Sequence, residues 1–398
     1  MSNEFTHLNL WERTRAGIGV SFALFWIGIL IVAACLAPFL ANTAPLFIIK
    51  NNNWFFPAFE LLKFVDILFI ILLVNISIFY FFRSKINKLF SWLVLSVSGL
   101  LLFLAYIFIN PLQLINYAKY RSLEYNSGIQ FKIAAPIQFS PTDYLRDYGN
   151  TSLEAPLDQP TSDLQINIKS KDRIHLFGTD ENGADVLSRM IHASRIALTI
   201  GIIATSIAML IGIVIGGLMG YFSSWLDILG MRLVEIFESI PTLFLLLTFV
   251  AFFGRNLYIM MVIIGITSWS GYARYTRAEF LKLRKMEYVQ AAIVSGIPLR
   301  SILFRHMLPN GVAPLLVAMS FGVASAILAE ATLSFLGLGL VDAPSWGQML
   351  NQAVNSATFN WWMALFPGGA IFFTVFTYTL LGEAFRDAID PQILHKNN

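Results

Sequence analysis

Residues 287–310 read EYVQAAIVSGIPLRSILFRHMLPN, a polar, basic stretch set between two long apolar runs. Its first half reads as a short helix over Glu287–Val294, with Tyr288, Ala291 and Ala292 on one face at i, i+3 and i+4. Gly296 falls where a helix end calls for a left-handed residue. Pro298 suits the first turn of a second helix, where its missing N–H costs nothing. That second helix carries Arg300 and Arg305 and is expected to stop near Leu308-Pro309. The stretch therefore reads as a bent, rigid projection. Small alanines let another surface approach its backbone, and the arginines offer planar donors to acidic groups.

The apolar runs on either side set the class. The chain is 57% hydrophobic and 13% charged, with a mean hydropathy of +0.66. Soluble domains carry roughly 25% charged residues, so much of this surface faces lipid. A net charge of +3 gives by itself no support for nucleic-acid binding, which wants a clustered basic face. A helix-turn-helix DNA reader shares the A-x-x-x-G look of the projection, but tethering between apolar runs without a dimerising domain argues against it. The single cysteine, Cys35, excludes an internal disulfide and a cysteine-based zinc site. Val32-Ala33-Ala34-Cys35 has the look of a lipoprotein cleavage box, yet the apolar run from Ala16 to Leu40 suits a membrane span better.

A spanning helix needs about 20 mostly apolar residues. Eight segments qualify: Gly17–Leu40, Leu61–Phe82, Leu89–Ile109, Ile196–Tyr221, Leu229–Phe253, Leu257–Tyr272, Val312–Leu336 and Trp362–Leu381. In the second, Lys63 and Asp66 share a face and are expected to pair near the interface. Basic residues set the orientation. Arg83, Lys85 and Lys88 lie between the second and third spans; Arg274, Arg277, Lys282, Arg284, Lys285, Arg300 and Arg305 lie between the sixth and seventh. Both clusters and both termini are expected on the cytoplasmic side. The fold class is thus an all-α polytopic membrane protein of about eight spans. Its expected parts are a membrane region at 1–110 with three spans, an irregular extracytoplasmic segment at 111–190, and a transmembrane domain at 191–390 with a cytoplasmic loop at 273–311.

Few residues invite a chemical role. Glu330, some eighteen residues beyond the start of the seventh span, lies ~27 Å along the helix. It reads either as an outer gate or as an acid capping the 331–339 turn. Glu235 and Glu238 share a face of the fifth span: Glu235 suits an ion pair with Arg232, and Glu238 is a candidate pathway residue. Pro241 is expected to kink that span. His7, His175, His192, His306 and His395 show no metal-ligand spacing. There is no G-x-S-x-G elbow and no phosphate-binding Gly-Lys, so neither an enzyme nor a nucleotide site is read, and no cofactor is expected. A membrane-embedded enzyme would need polar residues clustered at one depth. A passive channel would not need the Ala-Ala, Gly, Leu-Pro spacing.

That spacing resembles the coupling loop of binding-protein-dependent ABC importer permeases. There the pattern is Glu-Ala-Ala, three residues, Gly, nine residues, Ile, any residue, Leu-Pro. Here it falls on Gln290, Ala291, Ala292, Gly296, His306, Leu308 and Pro309. Gln290 departs from the pattern; a neutral amide weakens a charge contact but still hydrogen-bonds. Phe177-Gly178-Thr179-Asp180 with Asp185-Val186-Leu187-Ser188-Arg189, the 330–339 stretch with Ser345-Trp346-Gly347, and Arg386-Asp387 with Asp390-Pro391 resemble the peptide branch, in particular its second, C-type permease. The match covers roughly 174–392; the hairpin at 58–110 departs from the usual six-span subunit. The resemblance implies a permease subunit in the bacterial cytoplasmic membrane that translocates peptides or peptide-like solutes, nickel or another small solute being the alternative within the family. It implies a second homologous permease, two cytoplasmic ATPases that carry out the hydrolysis, and an external solute-binding protein. The residues it assigns to ATPase coupling are Tyr288, Gln290, Ala291, Ala292, Gly296, Arg300, Arg305, Leu308 and Pro309.

Overall fold

The computed structural model describes residues 18–81, 88–108, 115–148, 151–158, 174–340 and 343–389. Both termini lie outside these residues, as do His7, Arg83, Lys85, Asn110, Pro111, Pro160, Asp390, Pro391 and His395. In chain order, helix α1 (Ile18–Leu40) leads to strands β1 (Phe47–Lys50) and β2 (Asn53–Phe55), then helices α2 (Phe64–Phe81) and α3 (Lys88–Phe108). Strand β3 (Ile129–Ile133) precedes α4 (Val186–Phe222), α5 (Trp225–Ser239), α6 (Thr242–Phe253), α7 (Leu257–Thr267), α8 (Trp269–Leu283) and α9 (Glu287–Val294). Helices α10 (Leu308–Leu333), α11 (Trp346–Asn355) and α12 (Trp361–Ile389) follow.

Every expected span coincides with apolar helix, but not every one is long enough to cross alone. Gly19–Leu40, Val186–Phe222, Leu299–Leu338 and Trp361–Ile389 have the length and composition. The pair α5 and α6 makes a fifth only as a broken span, and Phe64–Phe79, Val94–Ile107 and Leu257–Thr267 are shorter apolar helices. The fifth span is not the kinked rod expected from Pro241: α5 and α6 are bent by 83°. Proline drives the residue before it out of the helical region, and Ile240 is extended with ψ 123. The 12 residues of α6 rise only ~18 Å, short of a ~30 Å hydrocarbon core.

Contacts divide the chain into two compact units, one within 1–27, 197–341 and 369–398, the other within 28–196 and 342–368. The second unit holds the small antiparallel sheet, in the order β2-β1-β3, with Ile48 paired to Phe55 on one side and Lys132 on the other. So the segment expected to be an irregular cap contributes a strand to a sheet started before α2. Arg121 clamps the loop beyond β3 by pairing with Asp143 and Asp147, and the Thr43 hydroxyl donates to Asp143 at 2.7 Å. Burial alone lowers the Arg121 pKa; the hydrogen bonds to Asp147 and Asp143 outweigh it and raise it.

The Gly-Thr-Asp stretch is a side-chain-braced turn in this unit. One Asp180 carboxylate oxygen accepts the backbone N–H of Asn182 and of Ala184, each at 2.9 Å, and the other pairs with Arg189. Trp362 donates to the Thr179 carbonyl at 3.1 Å, and Phe177 stacks on Phe366 with centroids 3.9 Å apart. The expected Lys63–Asp66 pair is corrected. Asp66 is buried and pairs with Arg195 of α4, while Lys63 offers it only a backbone N–H at 2.6 Å and keeps its side chain exposed. The same guanidinium donates to the Ala34 carbonyl of α1 at 2.5 Å and lies over the Phe69 ring at 5.3 Å. A planar fork with several donors suits a buried carboxylate better than a flexible ammonium.

In the first unit a ladder of glycines brings α4 against α8. A Cβ on Gly212 or Gly216 would overlap the Tyr272–Ala273 backbone, and one on Gly220 would sit 2.7 Å from the Arg277 carbonyl. Small residues four apart let membrane helices approach backbone to backbone. Gly216→Val is expected to force the two helices apart at a cost of about 1–3 kcal/mol, read as a lower unfolding midpoint of the detergent-purified protein. An unchanged midpoint would show that the contact is loose.

Candidate functional site

The projection 287–310 follows α8, a more polar helix that starts one residue after α7, with Ser268 between them. Helix α9 closes on the pattern that its glycine foretold. The Gly296 N–H reaches the Ile293 carbonyl at 3.0 Å, and the Ile297 N–H reaches Ala292 at 3.2 Å. This is a Schellman closure, and it requires the positive φ of +70 at Gly296. No atom lies within 4 Å of a Cβ built there, so conformation rather than space fixes the glycine. Gly296→Ala is therefore expected to weaken the turn by about 1–2 kcal/mol with Gly296→Asn costing less, measurable as faster hydrogen exchange across 292–297. Equal exchange for alanine and glycine would contradict the closure.

The second helix does not stop at Pro309. Pro298 caps a single turn at Leu299–Ser301, the chain then widens to a π-helix over Ile302–Met307, and α10 follows without a break, so that helix runs over Leu299–Leu338. Proline offers no N–H and its ring crowds the carbonyl four residues back. A wider π turn just before it relieves both problems.

The buried side of the projection comprises Phe280, Leu283, Val289, Ala292, Ile302, Leu303 and Met307. Ala292 is part of that core, while Tyr288, Gln290, Ala291, Gly296, Arg300, Arg305 and Pro309 are exposed and Leu308 is half-buried. The two alanines thus divide, Ala292 inward with Val289 and Ala291 outward with Tyr288. Two apolar residues join the outward side that the sequence did not single out: Val294, 86% exposed, and Phe304. Val294 lies three residues after Ala291, so helical spacing carried the signal. Gln290 donates its amide to the Arg284 carbonyl at 2.7 Å. A carboxylate has no proton to give that acceptor, so this pattern departure has a local structural use.

Ion pairs tie the base of the projection to α5. Arg277 grips Asp227 with two nitrogens, one at 2.7 Å, and Arg274 pairs with Glu238. The hydrogen bonds that Arg277 donates to Asp227 raise its pKa against the effect of burial. Arg232 and Glu235 pair at 2.6 Å on the exposed face of α5. Arg284 bonds the Ser223 hydroxyl and lies over the Tyr221 ring at 5.6 Å. Lys285, Arg300 and Arg305 are exposed with no ion pair among the described residues. Glu330 is 2% exposed and accepts from the Ser334 hydroxyl at 2.6 Å, just before the chain turns at Gly337 with φ +81.

Known proteins share this arrangement of sequence. The profile of the binding-protein-dependent transport system inner membrane component family matches residues 212–395. The oligopeptide transport system permease protein OppC of Haemophilus influenzae is 38% identical over 219 residues, which span 55% of this chain and 70% of that protein. The chain belongs to the binding-protein-dependent transport system inner membrane component family. The dipeptide transport system permease protein DppC of Alkalihalophilus pseudofirmus is 35% identical over 55% of this chain and 72% of that one. OppC of Bacillus subtilis is 35% identical over 64% and 80%. Among solved structures, a chain of the inward-facing MetNI methionine ABC transporter aligns with a TM-score of 0.40 at 16% identity, over 52% of this chain and 96% of that one. As a family member, the chain is an inner-membrane transport component that works with a solute-binding protein and an ATPase.

Proposed function

We propose that this chain is the membrane-spanning permease subunit of an ATP-driven importer of peptides or peptide-like solutes, and that it performs no hydrolysis itself. The single observation that carries this reading is the projection: a Schellman-closed helix whose inner face is a packed core and whose outer face leaves Tyr288, Ala291 and Val294 uncovered. Likeness to permeases named for oligopeptide and dipeptide transport supports the substrate class. In this reading the loop 273–311 is cytoplasmic, residues 111–190 are extracytoplasmic, and residues 191–390 form the importer transmembrane domain. The outward face of α9 enters a cleft on an ATPase, with Arg300 and Arg305 meeting acidic groups there. A second, related permease completes the pathway, and each of the two permeases engages one ATPase. Gln290 acts as a strut of the hairpin, and Glu330 as a brace at the far end of α10.

Force on a rigid hairpin travels where packing is tight. The Asp227–Arg277 and Glu238–Arg274 pairs bind α5 to α8, and the glycine ladder binds α8 to α4. Movement of α9 thereby moves helices that contribute to the membrane region, in the alternating-access sense. The test is purification of the tagged chain in mild detergent, followed by uptake competition with di-, tri- and longer peptides. ATPase subunits and a second permease are expected to accompany the chain, and peptides are expected to compete. A chain that purifies alone, together with peptide import at full rate in cells that lack it, contradicts the reading.

A further inference from the structure

A cavity of about 320 Å³ opens between α4, the α7–α8 junction and α10. Its polar lining is made of hydroxyls: Thr205, Ser268, Tyr272, Tyr275 and Ser325, without a charged side chain, a histidine or a cysteine. Ser268, Tyr275 and Ser325 are exposed and form the mouth; Thr205 and Tyr272 are buried and form the floor. The space exists because the facing residues are small. Gly271 looks onto open volume, and at Gly322 a Cβ would overlap the Tyr272 hydroxyl. Neither Glu238 nor Glu330 lines it.

The floor is short of partners. Thr205 is 2% exposed and its hydroxyl has no hydrogen bond of good geometry; it interacts with the neighbouring Tyr272 hydroxyl, which otherwise makes only a long bond, 3.4 Å, to the Ala318 carbonyl. Buried hydroxyls with incomplete hydrogen bonding are costly, so such a pair marks a place where a visiting molecule completes the bonding. The lining also says what kind of molecule. A metal ion asks for carboxylate, imidazole or thiolate, and a charged terminus asks for a counter-charge. A hydroxyl both donates and accepts, as does each peptide unit, whatever side chain it carries. The volume sits at the low end of small-molecule sites, enough for a peptide unit and a side chain rather than a whole oligopeptide.

We propose that this cavity is a transit subsite for the uncharged backbone of the passing peptide, with the Thr205 and Tyr272 hydroxyls as its hydrogen-bonding floor. The proposal rests on the peptide-import reading above. It names which residues read the substrate and which part of the substrate they read.

The test uses the whole importer, with its ATPases and solute-binding protein, in proteoliposomes. Uptake of a tripeptide is compared with that of its ester analogue, in which oxygen replaces the central amide N–H. The ratio of the two rates is independent of how much protein folds. The wild type is expected to favour the amide by about three- to tenfold, the worth of one hydrogen bond. Thr205→Val and Tyr272→Phe are each expected to shrink that ratio towards one, and Thr205→Ser to keep it. A ratio unchanged in both Thr205→Val and Tyr272→Phe overturns the proposal, and means that the cavity holds only water. A ratio lost equally in Thr205→Ser overturns it as well, pointing to shape rather than the hydroxyl. Should the wild-type complex hydrolyse ATP on solute-binding-protein stimulation yet move no peptide, the peptide reading itself falls, and the subsite with it.

Discussion

Ala291→Asp is expected to cut peptide uptake ~100-fold, the loss typical of a charge forced into the centre of an interface, while the protein stays in the membrane at its normal level. Ala291 is exposed on α9, so the substitution leaves the hairpin core untouched. Its neighbour behaves differently. Ala292 is packed among Phe280, Val289 and Met307, and an aspartate there buries an unpaired carboxylate at a cost of several kcal/mol. Ala292→Asp is expected to lower the amount of protein as well as uptake. Labelled-peptide uptake measured beside an immunoblot of membranes separates the two outcomes. Normal uptake by Ala291→Asp would reduce the projection to a determinant of topology.

The second large effect concerns the hairpin of α2 and α3, which lies outside the family profile. Asp66→Ala removes the carboxylate from a largely buried pair and leaves the Arg195 guanidinium without its counter-charge, still bonded to the Ala34 carbonyl. Losing one member of such a pair costs about 3–5 kcal/mol. The double change Asp66→Leu with Arg195→Met removes both charges and is expected to recover most of the loss, because a well-packed apolar pair avoids the desolvation penalty. Thermal unfolding of the purified protein in detergent reads the difference. Equal midpoints for Asp66→Ala and the wild type would mean that the pair holds nothing together, and equal loss in the single and double variants would assign the effect to shape.

The projection was legible because its signals are local. A left-handed glycine after a short amphipathic helix has one common use, and Gly296 serves it with two backbone hydrogen bonds. Apolar length likewise located the apolar helices, though only four of them, or five with the bent pair, are long enough to cross a membrane among the described residues. The sequence failed where geometry depends on the backbone's response to proline. Pro309 reads as a stop, but the π turn over Ile302–Met307 absorbs its missing N–H and the helix runs on. Pro241 reads as a kink, but nothing in the local sequence gives the 83° of the bend. Partners far apart in the chain were also out of reach: nothing near Asp66 names Arg195, and nothing near Glu238 names Arg274. The inward turn of Ala292 was within reach, since Val289 three residues earlier marks the buried face. The spacing of four in Gly212, Gly216 and Gly220 was visible too, and gains its meaning only from α8 lying against it.

A cysteine at Val294 offers the most direct test of the claim that the projection is a cytoplasmic handle held by an ATPase. Val294 is 86% exposed, and the native Cys35 is buried, so the new thiol is the one that reagents reach first among the described residues. With Val294→Cys, a thiol-directed cross-linker is expected to join the chain to an ATPase subunit in inside-out membrane vesicles, and a membrane-impermeant reagent is expected to leave it unlabelled in intact cells. Labelling from outside intact cells, or an absence of any cross-link in a complex that imports at full rate, would contradict the account.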